Sequence, residues 1–103
     1  MPTFETNQQK EALAISLRVS HLEAANAAEF KQDVAQLSLP HSGKVIVECS
    51  KLEFIDSSGL GALLHLNNSL QPDVRPLVLS QLHPEVLSVI ELLRLNTVFT
   101  IEG

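Results

Sequence analysis

Asp56, Ser57 and Ser58 are the residues of this sequence whose types and spacing could support chemistry. They lie between a short apolar stretch and the start of a helical pattern, so they fall at a helix N-terminus. Short polar side chains there accept hydrogen bonds from the free amides of the first turn, and the helix dipole favours negative charge. An exposed serine could also accept a phosphoryl group, whose anion would lie near amide donors. These residues alone therefore leave two interpretations open, a helix cap and a phosphorylation site.

Gly59 and Gly61 follow this polar group. Because glycine has no Cβ, we expect both to let the turn pack tightly against a sheet or to let another backbone approach. Leu60 begins the apolar face of the helix that follows. A tight strand–turn–helix junction is therefore predicted at residues 54–61.

The other reactive side chains are scattered. The histidines, His21, His41, His65 and His83, show no pair at metal-ligand spacing, so we expect neither a metal nor a cofactor. His21 lies beside the loop after an early strand, where a solvated histidine is the simpler interpretation and a partner contact the alternative. Cys49 is the only cysteine and lies in an apolar stretch, which favours a buried thiol over a catalytic one.

The composition is that of a small acidic globular domain. Of 103 residues, 45% are hydrophobic and 18% are charged, which predicts a single domain over residues 1–103 with its own core. Seven basic and twelve acidic residues give a formal net charge of −5, and Trp and Tyr are absent, so a nucleic-acid-binding surface is not expected. The polar start lacks a signal-peptide pattern, and no apolar run reaches the roughly 20 residues that cross a bilayer. We therefore expect a cytoplasmic protein without membrane insertion.

Hydrophobic periodicity predicts the elements that must position these residues. We predict strands at 3–6, 13–19, 44–50, 77–79 and 98–101, and helices from a Ser20-x-x-Glu23 capping box to Leu37, over 59–70, and from Pro84 to about Leu95. The last helix is expected to turn Val86, Leu87, Ile90 and Leu93 inward. The predicted fold class is α/β, with a four- to five-stranded mixed sheet layered with about three main helices in the order β(β)αβαβαβ. Sites in such sheets favour the loops at the carboxyl ends of strands.

The segment Phe54-Ile55-Asp56-Ser57-Ser58-Gly59-Leu60-Gly61 resembles the signature of the STAS domain, named for sulfate transporters and anti-sigma-factor antagonists. The chain is most similar to stand-alone bacterial anti-sigma-factor antagonists, and the resemblance covers essentially its whole length. It implies a STAS-type fold with Ser57, directly after the motif aspartate, as the regulatory phosphorylation site. Ser58 is then the less suited acceptor, with a hydrogen-bonding role at the helix start.

The resemblance also implies partners. The kinase of such a protein is an anti-sigma factor with a histidine-kinase-like ATP site, and a PP2C-type phosphatase removes the phosphate. The unphosphorylated form would bind the anti-sigma factor and release a sigma factor, and phosphorylation of Ser57 would end that binding. A bacterial signal-transduction protein of this type regulates transcription, has no enzymatic activity of its own and is a monomer when free.

A partner surface follows from the same resemblance. It comprises Ser20, His21, Glu23, Asp56, Ser57, Ser58, Gly59, Leu60 and Gly61. Asp56 would orient Ser57 or contact the kinase. Glu23 stands where the family often has Asp, and it serves either a kinase contact or the predicted capping box. Glu48 stands where relatives usually have Asp or Asn, and both departures leave the identity of the partner open.

Two other functions stay open. An accessory or regulatory subunit of a membrane transporter ATPase would have the same size and fold, although it has less need of the Asp56–Ser57 pair. Weak nucleotide binding or hydrolysis by the domain is the other alternative. The absence of a G-x-x-x-x-G-K-[ST] phosphate loop speaks against it.

Overall fold

The computed structural model describes residues 2–103, and its elements follow the predicted order with two short strands added. The elements are β1 (Phe4–Gln9), β2 (Ala12–Leu17), β3 (His21–Leu22), α1 (Ala27–Ala35), β4 (Lys44–Glu48), β5 (Phe54–Ile55), α2 (Ser57–Ser69), β6 (Val78–Ser80), α3 (Pro84–Leu92), a 3-10 turn at Leu95–Thr97 and β7 (Thr100–Glu102). Five strands form a mixed sheet in the order β1-β2-β4-β6-β7, with β1 antiparallel to β2 and the other neighbours parallel. β3 and β5 form a separate parallel pair. The predicted α/β fold class is confirmed.

The strand order places the three helices on one face of the sheet. Each crossover moves to the next strand in the same direction, so right-handed connections all pass over the same face. Burial in β2 agrees, because Leu13, Ile15 and Leu17 are buried and the residues between them are only half-buried. The segments that follow β2 and β4 leave the same carboxyl edge of the sheet, and these segments carry β3 and β5.

The first strand is fastened to α1 by apolar and polar contacts. Phe4 packs edge-on against Phe30, with ring centroids 5.6 Å apart. The backbone N–H and the Oγ1 of Thr3 donate to Oδ2 of Asp33 at 3.0 and 2.8 Å. These hydrogen bonds hold the pKa of Asp33 below its ordinary value. The edge strand that the sequence predicts is therefore integrated with the helical layer.

α1 begins later than the sequence predicts. It starts at Ala27, after the N-cap residue Asn26, so the prediction of a Ser20-x-x-Glu23 capping box is wrong. β3 occupies part of this segment because its backbone pairs with β5. Ser20 Oγ instead shares a hydrogen bond with Nδ1 of His21 at 2.9 Å. Pairing with a strand far along the chain has overridden a local cap signal.

α3 ends earlier than the sequence predicts, and its last leucines face solvent. The helix stops at Leu92, and Arg94 has a left-handed backbone with a φ of 60°. A residue in that conformation cannot continue a right-handed helix. Val86 and Ile90 are buried as predicted, but Leu92 is 81% and Leu93 51% exposed. The prediction that Leu93 turns inward is therefore wrong.

Candidate functional site

Ser57 is the first residue of α2, and its side chain is exposed. β5 ends at Ile55, so the turn between strand and helix consists of Asp56 alone. Ser58, the second helical residue, is half-buried. A hydroxyl at the first helical position lies beside the free amides of the helix start, where added negative charge is favourable. A phosphoryl group on Ser57 would project into solvent and leave the core undisturbed.

Asp56 is the N-cap of α2, which is one of the two interpretations that the sequence leaves open. Its Oδ1 accepts a hydrogen bond from the backbone N–H of Gly59 at 2.9 Å, and its Oδ2 accepts one from the backbone N–H of Ala24 at 3.2 Å. These bonds, first of all that from Gly59, hold the pKa of the Asp56 carboxyl below its ordinary value. One carboxylate therefore joins the start of α2 to the loop before α1, across 32 positions of sequence.

Gly59 is required by the close approach of α2 to β3. A Cβ at this position would lie 2.1 Å from the backbone oxygen of Leu22 and 2.8 Å from Cγ1 of Ile55. The same Leu22 oxygen accepts a hydrogen bond from the backbone N–H of Asp56 at 3.3 Å. Gly61 differs, because it is exposed and a Cβ there would meet no atom within 4 Å. The expectation of a close approach is confirmed for Gly59. For Gly61 the packing alternative is wrong, and the approach of another backbone stays a prediction.

β3 and β5 present an aromatic pair beside this turn. Leu22 and Ile55 are 0% and 3% exposed, so the alternation of side chains turns His21 and Phe54 outward. The two rings lie 5.5 Å apart between centroids, at 42°. The backbone oxygen of Ser20 accepts the N–H of Phe54 at 3.1 Å, which brings the predicted residues Ser20 and His21 next to the motif. Phe54 was not among the predicted site residues, although period-two alternation around a buried Ile55 could have indicated its exposure.

The loop between β3 and α1 is held by Asn26. Its Nδ2 donates to the backbone oxygen of His21 at 2.8 Å, and its Oδ1 accepts the backbone N–H of Glu23 at 2.9 Å. Glu23 is half-buried and follows β3 directly, just as Asp56 follows β5. Neither Asn26 nor Ala24 was selected from the sequence. Asn is a favoured residue type before a helix, although the Asn26 side chain makes no capping bond to α1. The contact from Ala24 uses only its backbone and has no sequence signal.

Leu60 and Glu48 support the site from within the fold. Leu60 is 2% exposed and belongs to the core. Its side chain therefore does not lie on the surface in which the resemblance places it. Glu48 ends β4, where its carboxylate accepts hydrogen bonds from the backbone N–H of Ser50 and, at 3.0 Å, from the Ser50 hydroxyl. His83, the N-cap residue of α3, donates from Nε2 to the Ser50 backbone oxygen at 2.6 Å. The turn after β4 is therefore tied to the start of α3.

No group of three or more His, Cys, Asp or Glu side chains within residues 2–103 could hold a metal ion. Cys49 is fully buried, and this burial, with a smaller contribution from the Glu48 carboxylate, raises the pKa of its thiol to about 12. A thiol with that pKa is scarcely ionised near neutral pH and is a poor nucleophile. None of the helices in the same described range is both long and apolar enough to cross a membrane.

Several solved structures share this fold. An anti-sigma-factor antagonist (STAS) domain protein from Planctomyces limnophilus gives a TM-score of 0.85 at 16% identity, over 98% of this chain and 89% of its own. Part of the murine solute carrier 26 family member A9, an anion transporter, gives 0.73 at 20% identity, over 91% of this chain and 16% of the transporter. The anti-sigma factor antagonist SpoIIAA of Bacillus, in its phosphorylated form, gives 0.64 at 18% identity, over 97% of this chain and 91% of its own. The TM-scores show that these proteins share a fold with this chain, and at such low identities the likeness shows the fold alone.

A family model described as "Mlab, STAS domain" matches residues 4–101. That range contains all three helices, the complete motif at 54–61 and every strand of the sheet except the last residue of β7. The geometry of the motif agrees with the match, since its aspartate caps α2 and its first glycine allows the helix to approach β3. Motif, fold and family model coincide over almost the entire chain, and the protein belongs to the STAS domain family.

Proposed function

We propose that this protein is a cytoplasmic anti-sigma-factor antagonist that works by phosphorylation-controlled partner switching at Ser57. The observation that carries the proposal is the exposed Ser57 hydroxyl on the first turn of α2, directly after a capping aspartate. The unphosphorylated protein binds an anti-sigma factor, which is also its serine kinase with a histidine-kinase-like ATP site, and thereby releases a sigma factor. A PP2C-type phosphatase restores the binding form. The fold shared with the Planctomyces antagonist and with phosphorylated SpoIIAA supports this function.

The partner surface of this proposal surrounds Ser57. It includes Asp56, the half-buried Ser58 and the exposed backbone at Gly61, with Ser20, His21 and Glu23 contributed by the neighbouring β3 segment. The Asp56 carboxylate holds the two segments together through its bond to Ala24. The binding surface is therefore assembled from two parts of the chain that the fold brings into contact.

Charge alone accounts for the switch. A phosphoserine adds about −1.5 to −2 charges near neutral pH. A dianion held about 6 Å from one partner carboxylate, at an effective dielectric constant of about 40, raises the binding free energy by roughly 3 kcal/mol. That change weakens binding by on the order of a hundredfold. The exposed position of Ser57 lets this happen without rearrangement of the core.

The test is phosphorylation and binding with the anti-sigma factors of the same organism that carry a histidine-kinase-like ATP site. We expect phosphate on Ser57 of the wild type, none on Ser57→Ala, and normal phosphorylation of Ser69→Ala, which removes an exposed hydroxyl at the other end of the same helix. Phosphorylated protein should bind on the order of a hundredfold more weakly by titration calorimetry. Phosphate found only at other residues, or equal binding of both forms, would refute the proposal.

A second candidate function is that of an accessory subunit of a membrane transporter ATPase. The likeness to a part of the murine anion transporter supports it, because that part has the same fold within a transport protein. The two functions differ in their dependence on Ser57. A transporter ATPase that co-purifies equally with wild type and with Ser57→Asp would favour the accessory subunit and leave Ser57 a plain helix-start residue.

A further inference from the structure

His21 and Phe54 form an exposed pair of rings, here called the aromatic platform, on the outer side of the β3–β5 pair. Phe54 keeps 46% of its surface exposed, although Ile55 beside it is 3% exposed. The backbone under the platform is fixed by the strand register and by the bond from the Phe54 N–H to Ser20. Since the backbone that carries the two rings is already held in place, binding to the platform loses little backbone conformational entropy. Exposed aromatic residues of this kind are enriched at protein interfaces.

Acidic residues flank the platform along both segments of the chain that carry it. Glu53 is exposed directly before Phe54, and the half-buried Glu23 and Asp56 directly follow β3 and β5. The two segments that build this surface, residues 20–26 and 50–61, contain a single Lys or Arg, Lys51. An apolar centre with a negative rim complements an apolar side chain that is flanked by Lys or Arg.

We propose that the aromatic platform docks a second kind of protein partner, one that presents an apolar side chain flanked by basic residues, and that phosphorylation of Ser57 strengthens this contact. The second part rests on the proposed phosphorylation of Ser57. Ser57 follows Phe54 by three residues, a separation of at most about 11 Å, which is close to the Debye length of about 10 Å at 0.1 M ionic strength. A phosphate there attracts a basic segment, whereas it repels the carboxylate of an anti-sigma factor. Modification of one serine therefore exchanges one class of partner for the other.

This opposite response fits the needs of a phosphorylation cycle. A partner that acts on the phosphorylated form must prefer that form, and a basic docking segment supplies the preference through charge alone. The effect is moderate, because the charges lie near solvent. At low ionic strength we expect the dianion to tighten the contact about threefold.

The test is an NMR titration of the full chain with three capped hexapeptides. The probe is Lys-Arg-Leu-Leu-Arg-Lys; the controls are Lys-Arg-Ser-Ser-Arg-Lys, which lacks the apolar centre, and Glu-Glu-Leu-Leu-Glu-Glu, which reverses the charge. We expect saturable shifts centred on the amides of His21 and Phe54 with the probe, and binding at least about tenfold weaker with either control. Protein carrying phosphoserine at position 57 should bind the probe about threefold more tightly than unmodified protein.

Three variants locate the contact. Phe54→Ala should weaken binding of the probe peptide about tenfold. Leu92→Ala removes a more exposed apolar side chain at the far end of α3 and should leave the affinity unchanged. Glu53→Lys alters an exposed side chain that the fold does not need, and it should weaken the probe while it improves binding of the acidic control. It tests the rim even if Phe54→Ala fails to fold.

Several outcomes would overturn the proposal. Shifts centred away from β3 and β5, equal affinity for the serine peptide, or an equal loss with Leu92→Ala would show that the platform is not the docking site. Weaker binding to the phosphorylated protein would refute the coupling to Ser57. The proposed function is refuted by a different result, equal binding of anti-sigma factors to both phosphorylation states. Conversely, if the probe does not bind the platform, the docking proposal is refuted even where an anti-sigma factor responds to Ser57 phosphorylation.

Discussion

Substitution of Gly59 by alanine tests the closest contact of the site. The added Cβ would lie 2.1 Å from the backbone oxygen and 2.7 Å from the carbonyl carbon of Leu22, and 2.8 Å from Cγ1 of Ile55. Two of these atoms belong to the backbone of β3, which cannot rotate away as a flexible side chain can. β3 and α2 must therefore separate by more than about 1 Å to reach an ordinary contact distance.

The cost can be worked out from this geometry. Forcing an extra methyl group into a packed contact costs about 1–3 kcal/mol. The separation also stretches the hydrogen bond from the Asp56 N–H to the Leu22 oxygen, now 3.3 Å, and its loss costs about 1 kcal/mol. The better helix propensity of alanine returns up to about 1 kcal/mol. We expect Gly59→Ala to lower the free energy of unfolding by about 1–3 kcal/mol, or the Tm by about 5–20 °C.

Gly61→Ala is the matched control in the same helix. The residue is exposed and its Cβ would meet nothing within 4 Å, so only the propensity gain remains. We expect a stabilisation of about 0.5–1 kcal/mol. Thermal and urea unfolding of the two variants, followed side by side by circular dichroism, measure the difference. A Gly59→Ala protein as stable as wild type, or two variants that shift in the same direction, would refute the steric explanation.

Three further predictions concern the acid limb of stability, the buried thiol and a buried amide. The pKa of Asp56 lies below its ordinary value of 3.8, mainly because its carboxylate accepts the backbone N–H of Gly59. The ionised carboxylate therefore stabilises the folded state. This contribution is complete above pH 3.8 and is lost as the pH falls through the lower pKa of the folded protein. Asp56→Asn should therefore flatten the stability curve in that acid range, and an unchanged curve from acid urea titrations would contradict the bond geometry. Cys49, with its pKa raised to about 12 by burial, should resist thiol reagents in the native protein and react fully in denaturant, whereas rapid native reaction would show that the strand opens. Asn67 is 6% exposed, and its Oδ1 accepts a hydrogen bond from the backbone N–H of Leu77 at 2.8 Å. Asn67→Leu should therefore lower the free energy of unfolding by about 1–3 kcal/mol. An unchanged urea midpoint would show that the Leu77 N–H needs no side-chain partner.

Local chemistry explains what could be predicted about the site. A helix cap at Asp56 was one of the two interpretations left open by the sequence, because a short acidic side chain can accept hydrogen bonds from the free amides of the first turn, and Asp56 is the N-cap of α2. Cys49 was expected to be buried because it continues an apolar strand, and it is fully buried. In both cases the neighbours along the chain supply most of the environment of the residue.

The wrong predictions share a different cause. Ser20 and Glu23 have the spacing of a capping box, yet the segment between them pairs with β5 and becomes extended. Leu93 continues the apolar period of α3, yet the helix ends at Leu92, before the left-handed Arg94, and Leu93 stays exposed. Gly61 has the same residue type as Gly59 but faces solvent. For Ser20, Glu23 and Leu93, a distant or downstream part of the chain changed the environment of the residue.

The sequence by itself determined the order of elements, the α/β class and the position of Asp56 and Ser57 at the start of α2, because hydrophobic period and cap chemistry are encoded by near neighbours. Only the tertiary structure decided that β3 pairs with β5, that the Asp56 carboxylate reaches Ala24, and that Phe54 stays exposed. These contacts join residues about thirty positions apart, mostly through backbone groups, which every residue type carries alike. Which backbone groups meet depends on how distant segments pack together, and this packing leaves no local pattern in the sequence.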